Sequence, residues 1–493
     1  MQNKNNSVFT ISLVVVFLIS MWGILSPETF GNAANAVFNY LTTNFGWFYL
    51  LAMFFFVVFM AYIACSKFGN IRLGPDDSRP EYSYISWFAM LFSAGMGIGL
   101  VFWGVAEPLN HFVAPLGAQP GTPEAANFAI YTSFFHWGIH PWANYSVIAL
   151  ALAYMQFRKN KPGLISSIFI PLLGEDASQT SLGKLIDILA IFATVAGVAT
   201  SLGLGVLQIN GGLNYLFGIP VNNFVNIVII VVVTILFMAS AVTGLDKGIK
   251  FLSNANIALA GIVMLLAFLI GPTIQILNAL TNGMGEYFGN MITESLRLDP
   301  FGENSWFYSG WRVFYWAWWI AWAPFVGVFI ARISRGRTIR EFIIGVSLVP
   351  ALGSFLWFAI FGTIGVNTGL DVASEAIAMT ETAFFVVMKH MNFGTLISMV
   401  TVVLLCTFFV TSADSATFVL GMLSSEGDLN PSTTKKIIWG CIQSLMAFSL
   451  MIAGGLKFLQ TASIAAAFPF AIVMVFSCFA LLKALKTDES LIK

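Results

Sequence analysis

Residues 310–325 read Gly310-Trp311-Arg312-Val313-Phe314-Tyr315-Trp316-Ala317-Trp318-Trp319-Ile320-Ala321-Trp322-Ala323-Pro324-Phe325. Five tryptophans fall within twelve residues, in a segment apolar enough to lie in a membrane. One aromatic stripe at near-helical spacing takes in Trp311, Tyr315, Trp318, Trp322 and Phe325. Pro324 has no amide hydrogen, so the carbonyl of Ile320 loses its helical partner. Electron-rich rings beside a disturbed helix predict a binding site for an organic cation.

The composition of the whole chain is that of a membrane protein. Of its 493 residues 58% are hydrophobic and 9% are charged, whereas a soluble domain carries roughly 25% charged residues. Lys plus Arg and Asp plus Glu balance at 23 each, so no nucleic acid and no acidic partner is expected. The four cysteines lie in or beside apolar spans, which argues against a disulfide framework. The sequence predicts a polytopic protein surrounded by membrane lipid.

Twelve segments reach the roughly 20 mostly apolar residues that a membrane-crossing helix needs. They are 8–26, 47–66, 86–111, 127–156, 184–216, 221–243, 252–281, 306–333, 341–367, 395–424, 436–455 and 461–485. Lys and Arg follow spans 2, 4, 6 and 8, precede span 11 and end the chain, while the alternate loops carry mostly Asp and Glu. This asymmetry predicts a multi-pass protein with both termini in the cytoplasm, and the expected location is the plasma (inner) membrane.

Two interrupted spans occupy corresponding places in the chain. Span 3 contains Gly95-Met96-Gly97-Ile98-Gly99, and span 8 contains the tryptophan stretch with Pro324. Each opens a block of five spans, and an odd number of spans inverts the second block relative to the first, as in inverted-repeat transporters. The predicted units are 1–82 with two added helices, 83–281 as the first repeat, 282–304 as a linker, 305–486 as the second repeat, and 487–493 as a short cytoplasmic tail.

The predicted linker 282–304 alternates apolar residues with charged and amide ones. This pattern predicts a short amphipathic helix on the outer face, and the alternative is a solvated loop with one helical turn. In span 3, Gly95, Gly97 and Gly99 weaken the helix and expose backbone carbonyls, which can face a ligand or ion where they line a cavity. The alternative there is close helix packing through small residues.

Span 4 supplies a second aromatic cluster. Trp142 and Tyr145 share one helical face, and a kink at Pro141 would turn Trp137 towards the same cavity. A methylated ammonium donates no strong hydrogen bond, so it suits ring faces, each of which contributes roughly 0.5–2 kcal/mol. The alternative is an interfacial aromatic belt or bulk core. Two clusters, each beside a proline, favour an aromatic box.

Hydroxyl groups mark span 10, where Phe408, Thr411, Ser412 and Ser415 lie on one helical face. Their oxygens, with unwound carbonyls, would suit sodium, and the alternative is hydroxyls that donate back to carbonyls in their own helix. Asp414 in the same apolar span indicates either function or a cap near a helix break.

Two histidines of span 4 and one glutamate of span 3 leave other chemistry open. His136 and His140 stand four residues apart, as in some metal sites, but no third ligand is near in sequence, so hydrogen-bonded histidines are predicted. Glu107 is either a proton relay or an ion-pair partner near the membrane edge. A membrane-embedded enzyme built on these residues and Asp414 is the alternative from another class of protein.

Together these motifs resemble the betaine/choline/carnitine transporter family. The resemblance runs from about residue 8 to 485 and rests on the tryptophan stretch and on residues 95–99, 103–108, 136–142, 331–337 and 411–415. It implies an all-α integral membrane fold with a LeuT-type core of two inverted five-helix repeats (spans 3–7 and 8–12) after two extra helices. It also implies a homotrimer, a quaternary-ammonium substrate, alternating access, and no cofactor beyond a sodium coupling ion.

The resemblance also assigns residues to sites. The substrate site falls on Trp137, Trp142, Tyr145, Trp318, Trp319, Trp322, Gly95, Met96, Gly97 and Gly99. The main sodium site falls on Ser93, Met96, Phe408, Thr411 and Ser412. A second sodium site falls on Thr194 and Phe325, but Val198 stands where sodium-coupled members carry another threonine. Glycine at position 99, where choline-selective relatives tend to carry aspartate, leaves room for a zwitterion such as glycine betaine.

Two departures from the family pattern concern access and regulation. Arg312 stands where the signature usually has threonine, at the outer end of its span, so access of ion or substrate is expected to differ. The tail 487–493 lacks the long charged extension of osmosensing members, which argues against direct osmotic activation by the tail. The predicted function is a symporter, not an enzyme, that imports glycine betaine or a related compatible solute with sodium. The alternatives are a carnitine/choline-type exchanger and proton-coupled uptake.

Overall fold

The structure is a computed structural model that describes residues 7–95, 97–243, 246–488 and 490. These residues are 83% helical and contain no β-strand, which confirms the predicted all-α membrane fold. The α-helices are α1 Ser7–Leu25, α2 Pro27–Cys65, α3 Tyr84–Gly95, α4 Ile98–Val113, α5 Pro123–Trp137, α6 Ile139–Ala153, α7 Ile170–Leu173, α8 Ser181–Phe217, α9 Asn223–Thr243, α10 Asp246–Ile270, α11 Thr273–Ser295, α12 Ser305–Phe307, α13 Phe314–Ile333, α14 Ile339–Val366, α15 Leu370–Ala378, α16 Ala383–Met388, α17 Gly394–Leu423, α18 Thr433–Gly454 and α19 Leu456–Lys486.

Within the described chain, ten helical segments are each long and apolar enough to cross a membrane alone. They correspond to ten of the twelve predicted spans. The other two predicted spans, 86–111 and 127–156, are each divided into two shorter helices, α3 with α4 and α5 with α6. The count of twelve stays a prediction, because each of these two regions is helical but is interrupted near its middle.

The division of span 4 lies at Gly138 and not at Pro141, where the sequence analysis expected a kink. A side chain at Gly138 would lie 2.7 Å from the carbonyl oxygen of Phe134 and 2.8 Å from the hydroxyl of Tyr287. Pro141 is the third residue of α6, where an amide hydrogen has no helical partner to lose. The predicted kink at Pro141 is therefore wrong, although Trp137 does end a helix beside the break.

The tryptophan helix α13 is continuous through Pro324, so the expected interruption there is wrong. The irregular part lies earlier, where residues Tyr308–Val313 form a π-helical turn. Helix α13 is almost wholly buried, because it packs against α6, α8 and α19 in the centre of the bundle. This central position brings its aromatic rings onto the helices of the first predicted repeat.

Span 7 ends earlier than expected, since α10 stops at Ile270 and Gly271-Pro272 separates it from α11. The predicted boundary at 281/282 therefore falls inside a single helix, Thr273–Ser295. This helix is amphipathic, with Tyr287 buried and Phe288 exposed. The Tyr287 hydroxyl accepts a hydrogen bond from the amide of Ile139 at 2.9 Å, so α11 covers the break between α5 and α6.

Candidate functional site

Three of the predicted box rings meet between α5 and α13. The ring centroid of Trp137 lies 4.8 Å from that of Trp319 and 6.1 Å from that of Trp318, edge-on in both cases. Trp318 and Trp319 stack at 4.9 Å with their planes 14° apart. All three indoles are buried. Their faces and edges form the centre of an aromatic cluster.

The remaining three predicted rings join this cluster less directly. Tyr145 of α6 lies edge-on to Trp319 at 6.3 Å, and Trp142 lies edge-on to Tyr145 at 5.6 Å. Trp322, one turn further along α13, donates its indole hydrogen to the carbonyl of Gly197 in α8 at 2.7 Å. Its ring contacts Phe325 at 5.5 Å. Trp322 therefore connects the cluster to α8.

The glycines of the broken span 3 differ in what they face. A side chain at Gly99 would place its first carbon 2.7 Å from Trp318 and 3.2 Å from Trp137, so the absence of a side chain lets α4 approach the rings. At Gly97 the nearest such contact would be the Ser412 hydroxyl at 3.7 Å. Gly95 is the last residue of α3. The two members of the predicted sodium site in this region, the side chain of Ser93 and all of Met96, lie outside the described residues.

The described members of that sodium site lie on α17 beside a cavity of about 610 Å³. Thr411 and Ser412 line this cavity together with Phe325, and Phe408 is buried one turn before Thr411. The Thr411 hydroxyl accepts a hydrogen bond from Asn256 of α10 at 3.1 Å and donates to backbone carbonyls of its own helix. Sequence reasoning missed Asn256, since an isolated asparagine 155 residues away carries no local signal.

The two residues of the predicted second sodium site make different contacts in the structure. Phe325 faces the cavity, whereas the buried Thr194 hydroxyl donates to the carbonyl of Ala190 in its own helix at 2.8 Å. This is the back-bonded arrangement that is common for threonine in membrane helices.

Asp414 lines a neighbouring cavity of about 250 Å³ with Arg332 and Lys436. Helix α17 runs unbroken past it, so the suggested cap at a helix break is wrong.

Glu107 of α4 is the hub of a hydrogen-bond network around the cluster. One carboxylate oxygen accepts from the indole of Trp137 at 2.8 Å and from the hydroxyl of Tyr315 at 2.5 Å. The other lies 2.6 Å from Nδ1 of His136 and 3.4 Å from Nε2 of His111. All five side chains are buried. The network ties α4, α5 and α13 together at one point.

The histidine pair of span 4 does not form a chelating pair. His136 faces Glu107, whereas Nε2 of His140 lies 2.7 Å from the Ser295 hydroxyl, so the predicted hydrogen-bonded state is confirmed. Ligand atoms of Glu107, His111 and His136 do lie within 4.8 Å of one another. These are residue types that bind zinc, but the carboxylate already accepts two hydrogen bonds from aromatic side chains.

Arg312 lies in the π-helical turn, and its side chain is 1% exposed. Its guanidinium donates to a carboxylate oxygen of Glu294 at 2.9 Å and to the backbone carbonyl of the same residue at 2.7 Å. It also lies over the ring of Phe135 at 4.5 Å and that of Tyr308 at 5.4 Å. Arg312 therefore fastens the end of α11 onto α5 and onto the segment before α13.

Comparisons with known proteins show the family of this chain. Residues 7–490 match the family described as BCCT, betaine/carnitine/choline family transporter. The chain is 48% identical to the glycine betaine transporter OpuD of Bacillus subtilis (strain 168) over 491 residues, which are 99% of this chain and 96% of that protein. It is 45% identical to the ectoine/hydroxyectoine transporter of Virgibacillus pantothenticus over 491 residues, 98% and 97% of the two chains.

A glycine betaine transporter of Acinetobacter baylyi is 40% identical over 493 residues, 99% of this chain and 74% of that protein. These relatives are transporters and not enzymes, and the matches span nearly the whole of this chain. The chain belongs to the betaine/carnitine/choline transporter family and is a multi-pass membrane transporter.

Proposed function

We propose that the protein imports glycine betaine, or a related quaternary-ammonium zwitterion, as a sodium symporter that works by alternating access. The observation that carries the proposal is the buried cluster of Trp137, Trp318 and Trp319, which has Gly99 against its rings. Indole faces attract a cation that cannot donate hydrogen bonds. A compatible solute of this kind is the substrate class that such a cluster fits.

Glycine at position 99 supports a zwitterion over a plain cation. No side chain, and hence no carboxylate, projects from this position towards Trp137 and Trp318. A substrate with its own carboxylate needs no anion in direct contact with its ammonium group, because its two charges balance within one molecule. The three relatives described above, whose names include glycine betaine and ectoine, support the same substrate class.

Sodium coupling has its support in α17. Thr411 and Ser412 place two hydroxyl oxygens at the large cavity, and Gly97 lies beside Ser412. Neutral oxygens are the ligands that suit a weakly charged hard cation. Proton coupling and carnitine- or choline-type exchange are the competing modes.

Alternating access has its support in the asymmetry of the bundle. The large cavity opens among Tyr82, Phe325 and Phe329, and a smaller one reaches Arg332, on the side predicted to be cytoplasmic. On the opposite side, Arg312 is buried and forms an ion pair with Glu294, so the helices are packed together there. The proposed cell site is the plasma (inner) membrane with both termini cytoplasmic, and the proposed assembly is a homotrimer in contact with lipid.

The test is uptake of radiolabelled substrates into proteoliposomes. The panel contains glycine betaine, ectoine, carnitine and choline, each with an inward sodium gradient, an inward potassium gradient or an inward proton gradient. The proposal predicts accumulation of chemically unchanged glycine betaine with the sodium gradient. Accumulation that follows the proton gradient, or exchange of carnitine without any gradient, would contradict it.

Ectoine is a second candidate substrate, because one relative at 45% identity is named as an ectoine/hydroxyectoine transporter. Competition between ectoine and glycine betaine in the same vesicles separates the two. Tighter binding of ectoine would make it the principal substrate.

A further inference from the structure

Glu107 is a completely buried carboxylate whose four polar neighbours can all donate hydrogen bonds to it. Its two oxygens face the indole of Trp137, the hydroxyl of Tyr315 and the rings of His136 and His111. An ionised carboxylate is an acceptor only, and it accepts several hydrogen bonds at once. Trp137 and Tyr315 both donate to one carboxylate oxygen, and each histidine donates to the other when its facing nitrogen carries the hydrogen. The surroundings are therefore those of an anion.

Among the described residues Glu107 is paired with no lysine or arginine, and the two histidines beside it carry a positive charge only when they are protonated. Arg312, the charged residue on the adjoining π-helical turn, is paired with Glu294 at 2.9 Å. His140, on the neighbouring element, faces the Ser295 hydroxyl. A buried anion costs free energy unless charge of opposite sign reaches it. The positive charge that complements Glu107 can come from the substrate.

Both aromatic partners of Glu107 belong to the cation cluster. Trp137 contacts Trp318 and Trp319, and Tyr315 stacks on Trp319 at 5.8 Å with planes 26° apart. A hydrogen bond from an indole or phenol to an anion shifts electron density into the ring, and a richer ring face attracts a cation more strongly.

We propose that Glu107 is the buried counter-charge of the cation cluster, and that it acts through Trp137 and Tyr315 to select substrates that carry a positive charge. This inference rests on the proposed function, since it assumes a quaternary-ammonium substrate. Glu107 is a positioning residue here, because it reaches the substrate through two rings and not by direct contact. The two histidines complete its hydrogen bonds from the outer side.

The size of the effect follows from the distances. A cation within about 6 Å of the Trp137 ring centroid lies roughly 6–9 Å from the carboxylate. At an effective dielectric constant of about 20, one charge at that distance changes affinity on the order of 20- to 100-fold. A ligand of the same shape without the positive charge gains none of this attraction. The effect is therefore one of discrimination between ligands with and without the ammonium charge, which loss of packing alone would not produce.

The test compares glycine betaine with 3,3-dimethylbutyrate, in which a carbon atom replaces the quaternary nitrogen. Binding of each to purified full-length protein is followed by tryptophan fluorescence. In Glu107→Gln the ratio of the two dissociation constants is expected to move about 20-fold or more against glycine betaine, because both ligands carry the same carboxylate and only glycine betaine carries the positive charge. Glu375→Gln, the same substitution at an exposed position of α15, is the matched control and leaves the ratio unchanged.

Gln at position 107 places its amide hydrogens against other donors, so a second variant guards against misfolding. Tyr315→Phe removes one hydrogen bond between the carboxylate and the cluster. It is expected to move the ratio of the two dissociation constants about threefold against glycine betaine. An unchanged ratio in Glu107→Gln, or in Tyr315→Phe where the first variant does not fold, overturns the inference alone. Failure of the wild-type protein to bind glycine betaine overturns the proposed function and the inference together.

Discussion

Glu294→Gln should destabilise the protein more than Arg312→Met, although both substitutions break the same ion pair. The reason is the unequal surroundings of the two charges. The Arg312 side chain is 1% exposed, whereas that of Glu294 is 13% exposed and has a second partner, Arg297, at 2.9 Å. Removing the Glu294 carboxylate leaves the buried Arg312 guanidinium without an anionic partner. Removing the guanidinium leaves a carboxylate that still has a cation and water.

The magnitudes follow from this asymmetry. Breaking a buried pair on the side that leaves a charge uncompensated costs about 3–5 kcal/mol, and the partial exposure of Glu294 places this case near 3 kcal/mol. Arg312→Met loses hydrogen bonds to Glu294 but puts an apolar chain among the rings of Phe135 and Tyr308, so a cost of about 1–2 kcal/mol is expected. The double variant, with Glu294→Gln and Arg312→Met, has no unpaired buried charge, so its stability should lie close to that of Arg312→Met.

The pH dependence of stability provides a second test of the Glu294–Arg312 ion pair. Burial opposes ionisation of Glu294, but Arg312 and Arg297 outweigh it and hold the pKa of the carboxyl below its usual value. A depressed pKa adds stability that is complete above the unfolded pKa, near 4.3, and is lost as the pH falls through the lower folded value. The stability difference between wild type and Glu294→Gln should thus be constant from pH 7 to 5 and shrink below about pH 4.

The measurement is the free energy of unfolding in detergent for the wild type, both single variants and the double variant. Arg297→Met serves as the matched control, because its side chain is 58% exposed and pairs with the same carboxylate. It should cost less than about 1 kcal/mol. A larger loss in Arg312→Met than in Glu294→Gln, or strictly additive losses in the double variant, would refute the reasoning.

Three further predictions concern the aromatic cluster and the tail. Gly99→Ala places a carbon 2.7 Å from Trp318, forces the rings apart, and is expected to weaken glycine betaine binding about tenfold in a fluorescence titration; unchanged affinity would contradict this. Trp318→Ala should abolish most uptake into vesicles, since it removes the central ring, and wild-type uptake would exclude the cluster as the site. Asp488 is buried, and although burial opposes its ionisation, hydrogen bonds from Arg158 and Tyr154 hold its pKa below the usual range. Asp488→Asn should therefore lower the Tm at pH 7, with the difference shrinking below about pH 4, and a difference that grows on acidification would contradict the ion pair.

The sequence was sufficient for the class of fold and for most of the aromatic cluster, because both depend on local patterns. Long apolar runs indicate spans, and closely spaced rings such as Trp318 and Trp319 need no distant information to be noticed. Prolines were less reliable guides than glycines. Pro141 lies in the first turn of its helix, where it costs no hydrogen bond, and Pro324 lies within a continuous helix. The break in span 4 is at Gly138, where neighbouring atoms leave no room for a side chain.

The polar partners could not be found from sequence, because they come from distant parts of the chain. Glu107 meets His136 and Trp137 across 29 and 30 residues and Tyr315 across 208. From its spacing alone, Glu107 was interpreted as either a proton relay or an ion-pair partner near the membrane edge. Arg312 likewise looked like a local departure until the fold brought Glu294 against it. Side-chain networks of this kind depend on helix packing, which no local periodicity records.

The most direct test of the central claim is accumulation of glycine betaine in proteoliposomes under an imposed sodium gradient. The account predicts that unmodified glycine betaine rises inside the vesicles above its external concentration when sodium is higher outside, and that it does not do so when potassium replaces sodium. Equal uptake with either ion, or equilibration without accumulation, would contradict the account.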